Sequence, residues 1–163
     1  MLRGLFTTLK EMFAKPVTIQ YPEQKRPVRE RFKGRHELKR YDNGLEKCIG
    51  CALCAAACPS NAIFVEASEN TDEERYSPGE RYASTYEINM LRCIFCGYCE
   101  DACPTEAIVL EKDYELSYTD RAQAIFTKEK LIVKVPAGGK PTPQKTEPGV
   151  FTRSVPEMKD PTD

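Results

Sequence analysis

The chain has 163 residues, 24 Lys+Arg against 25 Asp+Glu for a net charge of −1, 40% hydrophobic residues and no tryptophan. That is room for one ordinary domain, or for a small domain with sizeable extensions. A mean hydropathy of −0.53, with no run near the roughly 18 apolar residues that a spanning helix needs, argues against a membrane-spanning protein. Eight cysteines are too sparse for a secreted mini-scaffold and too many for packing accidents.

The charge is unevenly spread. Residues 1–47 carry 12 basic and 6 acidic side chains, residues 48–120 carry 4 and 14, and residues 121–163 carry 8 and 5. An acidic middle between basic flanks suits folding back on itself, or facing several partners. It does not suit nucleic acid, because the basic flank lacks a reader motif and the centre would repel phosphate.

Residues 1–15 place Leu2, Leu5, Phe6, Leu9, Met12 and Phe13 at helical spacing, with Arg3, Lys10 and Lys15 bordering the polar side and Pro16 as the stop. Three placements satisfy such a face: packing on its own domain, docking on a partner subunit, or lying in a membrane interface. The segment lacks a signal peptide's compact apolar core, and Glu11 with its brevity counts against a mitochondrial presequence. Residues 16–47 are rich in Pro, Lys and Arg and read as an extended basic strap. They hold the only histidine, His36. A lone histidine reads first as a surface or hydrogen-bonded structural residue, and second as a ligand or proton-transfer group.

All eight cysteines fall in two runs, Cys48-x2-Cys51-x2-Cys54-x3-Cys58-Pro59 and Cys93-x2-Cys96-x2-Cys99-x3-Cys103-Pro104. The runs are an internal repeat offset by 45 residues. Ten of 19 positions are identical between Cys48–Glu66 and Cys93–Glu111. Two-residue gaps let a chain curl so that three thiolates reach three corners of one iron–sulfur cubane, and the outlying Cys-Pro cysteine points to the other cubane. The spacing therefore assigns Cys48, Cys51, Cys54 and Cys103 to one [4Fe–4S] cluster, and Cys93, Cys96, Cys99 and Cys58 to the second. The prolines fix the turn and remove an N–H that it would leave unpaired. Gly50, Ala52, Ala55, Ala56 and Ala57, with Gly97 and Ala102, let the backbone close around a bulky inorganic core. Zinc sites favour separated cysteine pairs, and disulfides need an oxidising compartment that no signal here implies; both fit the pattern poorly.

With every thiol used as a ligand, no cysteine is left as a nucleophile and no iron is left open for substrate. No Rossmann fingerprint, flavin motif or Ser/His/Asp arrangement is present, and Gly138-Gly139-Lys140 lacks the first glycine and the Ser/Thr of a phosphate loop. What remains is outer-sphere transfer of single electrons. Burial, charge and hydrogen bonds to sulfur set the potential within a range of about −700 to +450 mV. The acidic middle favours the low end, since reduction adds negative charge.

The duplicated runs resemble bacterial-type dicluster ferredoxins. Three further stretches narrow the likeness: Val17-Thr18-Ile19-Gln20-Tyr21-Pro22, the segment from Arg31 through Gly34-Arg35-His36-Glu37-Leu38, and Tyr86-Glu87-Ile88-Asn89-Met90-Leu91-Arg92 leading into Cys93. With these, residues 17–116 resemble the ferredoxin-type, TYKY-like subunit I of respiratory complex I, the proton-pumping NADH:quinone oxidoreductase. The resemblance implies a relay subunit on the cytoplasmic side of a bacterial membrane. Its expected partners are the large upstream Fe–S subunit, the terminal-cluster subunit, the quinone-site subunit and the membrane-arm subunit at the quinone chamber. The Cys48-containing cluster would stand upstream. The N-terminal helix and strap would anchor on the membrane surface, and the chain would have no catalytic site of its own. A diffusible two-cluster ferredoxin and a relay subunit of a related membrane-bound hydrogenase are the alternatives.

The expected fold is α+β: a bacterial-type dicluster ferredoxin core over residues 48–120 with a pseudo-two-fold repeat of two short hairpins and two short helices. Strands are expected at Ile63–Glu66 and Ile108–Glu111. Residues 67–92, acidic over Glu69–Glu74 and turning at Ser77-Pro78-Gly79, read as a hairpin or loop over the clusters or against a neighbour, or as a solvated insertion. Residues 121–135 carry the apolar run Leu131–Val135, an accessory strand or strap. Residues 136–163 hold six prolines and three glycines and read as a tail that is disordered or extended along something.

Overall fold

The structure, a computed structural model, describes residues 2–145. They fall into two compact units that divide between Glu30 and Arg31. In the first, helix α1 (Leu2–Met12) follows the predicted 3.6-residue apolar period, and none of its side chains is buried within the unit. Residues 13–30 contain no further helix or strand.

The second unit is the α+β domain. Its elements are β1 (His36–Leu38), α2 (Leu53–Ala56), β2 (Ile63–Glu69), β3 (Arg81–Asn89), α3 (Tyr98–Asp101), β4 (Ile108–Leu110), a 3-10 turn (Arg121–Ala124), β5 (Ile125–Thr127) and α4 (Lys128–Leu131). β2 and β3 form an antiparallel hairpin, extended by β5 on the far side of β3. β4 pairs antiparallel with β1. Both strands predicted from the repeat are present, but only one of the two expected hairpins is a hairpin. The second half of the repeat takes its partner strand from the N-terminal flank, before the first cysteine.

The strap therefore divides. From Arg31 onward it belongs to the core, where His36 and Leu38 are buried and Lys39 forms ion pairs with Glu37 and Glu111. Arg40 and Glu46 bridge across a tight turn at Gly44. The left-handed φ of +91° at Gly44, and the backbone of Lys140 packed where a Cβ would stand, exclude any other residue there.

Most of residues 67–92 belong to the long β2–β3 hairpin. Asn70 organises its tip: the side-chain amide donates to the Ser77 carbonyl, the Ser77 hydroxyl and the Gly79 carbonyl, and the side-chain carbonyl accepts the Tyr76 N–H. Residues 121–135 join the two sheets. β5 pairs with β3, and Ile132 then makes a parallel bridge to Leu38 of β1. The apolar run starts in a short helix and continues as a strap along β1. The first part of the tail lies along the domain, with Gln144 bridged to Arg75 and Thr142 accepting from Arg40; residues 146–163 of the predicted tail are outside the described residues. No described helix is long and apolar enough to cross a membrane.

Candidate iron–sulfur site

The two cysteine curls adopt the same backbone. Left-handed φ values fall at Gly50, Ala52 and Asn61 in the first run, and at Phe95, Gly97 and Glu106 in the second. These are the same three positions displaced by 45 residues. Four of the six are not glycine, and each such residue carries a steric cost of about 1–2 kcal/mol. The turns are thus imposed by the curl rather than chosen by the side chain. After each curl a one-turn helix, α2 or α3, carries a buried cysteine, Cys54 or Cys99.

One cavity is lined by Cys48, Cys51, Cys54 and Cys103, with Val65, Tyr86 and Ile108 on its walls. A second is lined by Cys58, Cys93, Cys96 and Cys99, with His36 and Ile63. The structure brings together the two groups of four that the spacing draws together, each group taking its fourth member from the other run. Among the described residues no three His, Cys, Asp or Glu donors converge on one metal ion.

The sulfurs meet hydrogen-bond donors in matched pairs. Ala62 N–H donates to Cys58 Sγ at 3.3 Å and Ala107 N–H to Cys103 Sγ at 3.2 Å. The Ser60 and Thr105 hydroxyls lie 3.5 and 3.6 Å from the same two sulfurs. Burial raises both thiol pKa values, but these hydroxyl and N–H groups outweigh it and hold Cys58 and Cys103 below the ordinary thiol value. Deeper in, burial dominates and pushes Cys48 up to about 11 and Cys99 up to about 12. Such thiols become thiolates when a cation replaces the proton, as iron does. The donor set, the N–H groups aimed at sulfur and the four-sulfur cavities all fit [4Fe–4S] clusters.

Two side chains at the sulfurs differ between the halves, and spacing did not single them out as neighbours of sulfur. Tyr86, 1% exposed, places its hydroxyl 3.3 Å from Cys54 Sγ. Its pKa is raised well above the ordinary value by burial and by the neighbouring thiols, so it remains a donor. His36, also 1% exposed, has Nε2 3.8 Å from Cys93 Sγ and its ring 5.6 Å from that of Phe95. Burial lowers its pKa to about 4. His36 is not on the surface; of the two branches of the first reading of a lone histidine, the structure fits the structural one, a buried core residue with Nε2 against a cysteine.

Residues 47–107 match the family model of the 4Fe-4S dicluster domain. The α+β fold thus carries a 4Fe–4S dicluster ferredoxin domain, with eight cysteines for two [4Fe–4S] clusters. Among solved structures, the chain is similar to one in the structure of the membrane-bound sulfane sulfur reductase, an archaeal respiratory membrane complex. The two share 30% sequence identity, with 80% of this chain and 61% of that chain covered and a TM-score of 0.48. This chain therefore spans less than two thirds of the length of that relative.

Proposed function

We propose that the chain is an electron-relay subunit of a membrane-bound respiratory oxidoreductase of the complex I type, the proton-pumping NADH:quinone oxidoreductase. Cys48, Cys51, Cys54 and Cys103 hold one [4Fe–4S] cluster, and Cys93, Cys96, Cys99 and Cys58 hold the other. Bound clusters supply one-electron chemistry in which no bond is made or broken. The protein's part is to hold the two centres close, keep water out and set their potentials. α2 and α3 pack against each other, so Cys54 and Cys99 belong to one buried cluster of side chains. That arrangement suits an electron path through the protein rather than two independent sites.

The observation that carries the membrane-bound reading is α1, an amphipathic helix whose Leu2, Leu5, Phe6, Leu9 and Met12 are all exposed. A freely diffusing carrier has no use for such a face. In this reading the helix anchors the subunit on the membrane surface and its neighbouring membrane-arm and quinone-site subunits, on the cytoplasmic side of a bacterial membrane. The large Fe–S subunit delivers electrons to the Cys48-containing cluster, and the terminal-cluster subunit collects them. NADH, flavin and quinone chemistry belong to those partners.

The test is to solubilise membranes gently and separate intact complexes by native electrophoresis. Migration in a large band with NADH-oxidising activity supports the proposal. A large band active with another donor points to a related hydrogenase-type complex. Recovery only as a free brown monomer from the soluble fraction points to a mobile ferredoxin and overturns the relay-subunit reading.

A further inference from the structure

The 45-residue repeat extends beyond the cysteine runs into the strands that flank them. In β2, Ile63, Phe64 and Val65 pair with Ile88, Glu87 and Tyr86 of β3. In β4, Ile108, Val109 and Leu110 pair with Leu38, Glu37 and His36 of β1. The two triplets Ile63–Val65 and Ile108–Leu110 are related by the offset, so their partners are related too. Tyr86-Glu87-Ile88 is the counterpart of His36-Glu37-Leu38, with the same alternation of buried and half-buried residues. β1 and β3 therefore play the same part in the two halves, although they lie on opposite sides of the first cysteine run in sequence.

His36 and Tyr86 consequently occupy one position of the pseudo-two-fold, and each turns its polar end to a cysteine of its own cavity. The Tyr86 hydroxyl meets Cys54 Sγ at 3.3 Å, the one hydrogen bond its oxygen makes among the described residues. His36 Nε2 meets Cys93 Sγ at 3.8 Å, while its Nδ1 is buried without a partner among the described residues. Nε2 is the ring nitrogen with a sulfur acceptor before it, so a ring proton is assigned there. A buried donor beside a thiolate makes a charge-assisted bond that favours the more negative, reduced cluster.

We infer that His36 and Tyr86 are paired positioning residues that set the potentials of the two clusters separately, His36 that of the Cys93-containing cluster and Tyr86 that of the Cys54-containing one. The two halves share the N–H donors to Cys58 and Cys103, and these two side chains are a place where the repeat makes its centres different. The inference rests on the ligand sets proposed above.

The experiment is a potentiometric titration, followed by EPR, of the full-length chain carrying both clusters, with Tyr86→Phe and His36→Phe compared with the unsubstituted protein. Each variant is expected to lower one midpoint potential, a different one in each case, and to leave the other in place. His36→Gln, which keeps an N–H at the Nε2 position, is expected to return the shifted potential toward its original value. Potentials unmoved in both variants, or moved together in each, would overturn the proposal. Because the chain has one histidine, a second measurement needs no variant. Protein grown with 15N-histidine is expected to show a nitrogen coupling to one reduced cluster by pulsed EPR, and its absence would equally overturn the role of His36. Fewer than two clusters in the unsubstituted chain would refute the ligand sets themselves, a failure told apart from the others by iron content.

Discussion

Cys58 lines the cavity of Cys93, not that of the run to which it belongs, and Cys103 lines the cavity of Cys48. The one-turn helices α2 and α3 carry the chain away from each curl, so that the outlying cysteine emerges on the other side of the pseudo-two-fold. This crossing ties the two halves into one unit and yields a distinctive pattern of loss. Cys58→Ser and Cys93→Ser are each expected to leave about four irons per chain of about eight. The double variant is expected to lose no more than either alone, whereas Cys58→Ser with Cys48→Ser should lose both clusters. Iron analysis with EPR on the purified chains reads this directly. A Cys58→Ser/Cys48→Ser chain that keeps one full cluster would exclude the crossed assignment.

The core is organised around those cysteines. Cys54 and Cys99 are members of its buried cluster, with Cys48, Cys93 and Cys103 packed against it, and the two sheets have only two and three strands. Ligation free energy in such a site is folding free energy. Removing both clusters by chelation is expected to abolish amide protection in β1, β2, β3 and β4, as read by hydrogen exchange. A chain that stays well protected without iron would show that the sheets suffice by themselves.

Much of this was legible in the sequence. The cysteine spacing carried the grouping of the cysteines around two cavities, and the ten identities between the runs carried the repeat together with β2 and β4. The partner strands were not legible, because pairing across a sheet leaves no mark in local spacing. β1 is three residues in a stretch rich in Arg and Lys, and its burial comes from elements distant in sequence: β4, Ile132 and the second cysteine run. His36 stood out only as a lone histidine; the likeness of His36-Glu37-Leu38 to Tyr86-Glu87-Ile88 is the signal that would have placed it. The left-handed turn at Phe95 was equally hidden, since propensity favours glycine there and the curl overrides it.

Gly50 is the place where that override fails. Its φ is +67°, and an added Cβ would stand 2.8 Å from the Ala67 Cβ and 2.9 Å from the Tyr82 carbonyl oxygen. Gly50→Ala meets both the left-handed penalty of about 1–2 kcal/mol and a backbone clash that the β2–β3 hairpin has to move to relieve. Gly138, with φ +94° and nothing within 4 Å, is the control for the first effect alone. Thermal unfolding of the cluster-loaded protein is expected to rank Gly50→Ala well below Gly138→Ala. Equal losses would mean that the hairpin yields freely at Ala67.

Lys128 joins the strap of residues 121–135 to the domain. Its Nζ donates to the Ala83 carbonyl at 2.6 Å, sits 2.8 Å from Glu46 Oε2 and lies 5.1 Å from the centre of the Tyr82 ring. Glu46 is buried, and its other cation, Arg40, is 4.0 Å away. Lys128→Met leaves a buried carboxylate short of its nearer partner, which costs about 3–5 kcal/mol in comparable pairs. The double variant Lys128→Met/Glu46→Gln removes the stranded charge and is expected to recover part of that loss. Denaturant unfolding of both variants measures it, and a single variant as stable as the parent would show that Arg40 alone satisfies Glu46.

The exposed face of α1 yields the prediction that bears most directly on where the protein works. An isolated helix of 11 residues is marginal in water, and its apolar side chains bury nothing within their own unit. A surface that covers the face therefore stabilises the helix as well as binding it. Arg3 and Lys10 favour an anionic surface, as on helices that lie at the boundary of lipid headgroups and acyl chains. Leu5→Glu with Phe6→Glu places two carboxylates in the middle of that face. The variant is expected to keep both clusters and their EPR signals while losing most of its sedimentation with anionic phospholipid vesicles. In cells it should shift from the membrane fraction to the soluble one. Because α1 belongs to a unit separate from the cysteine domain, a loss of clusters in this variant would contradict the division of labour between them. Unchanged vesicle binding would instead leave a protein partner, rather than lipid, as the surface that covers the helix.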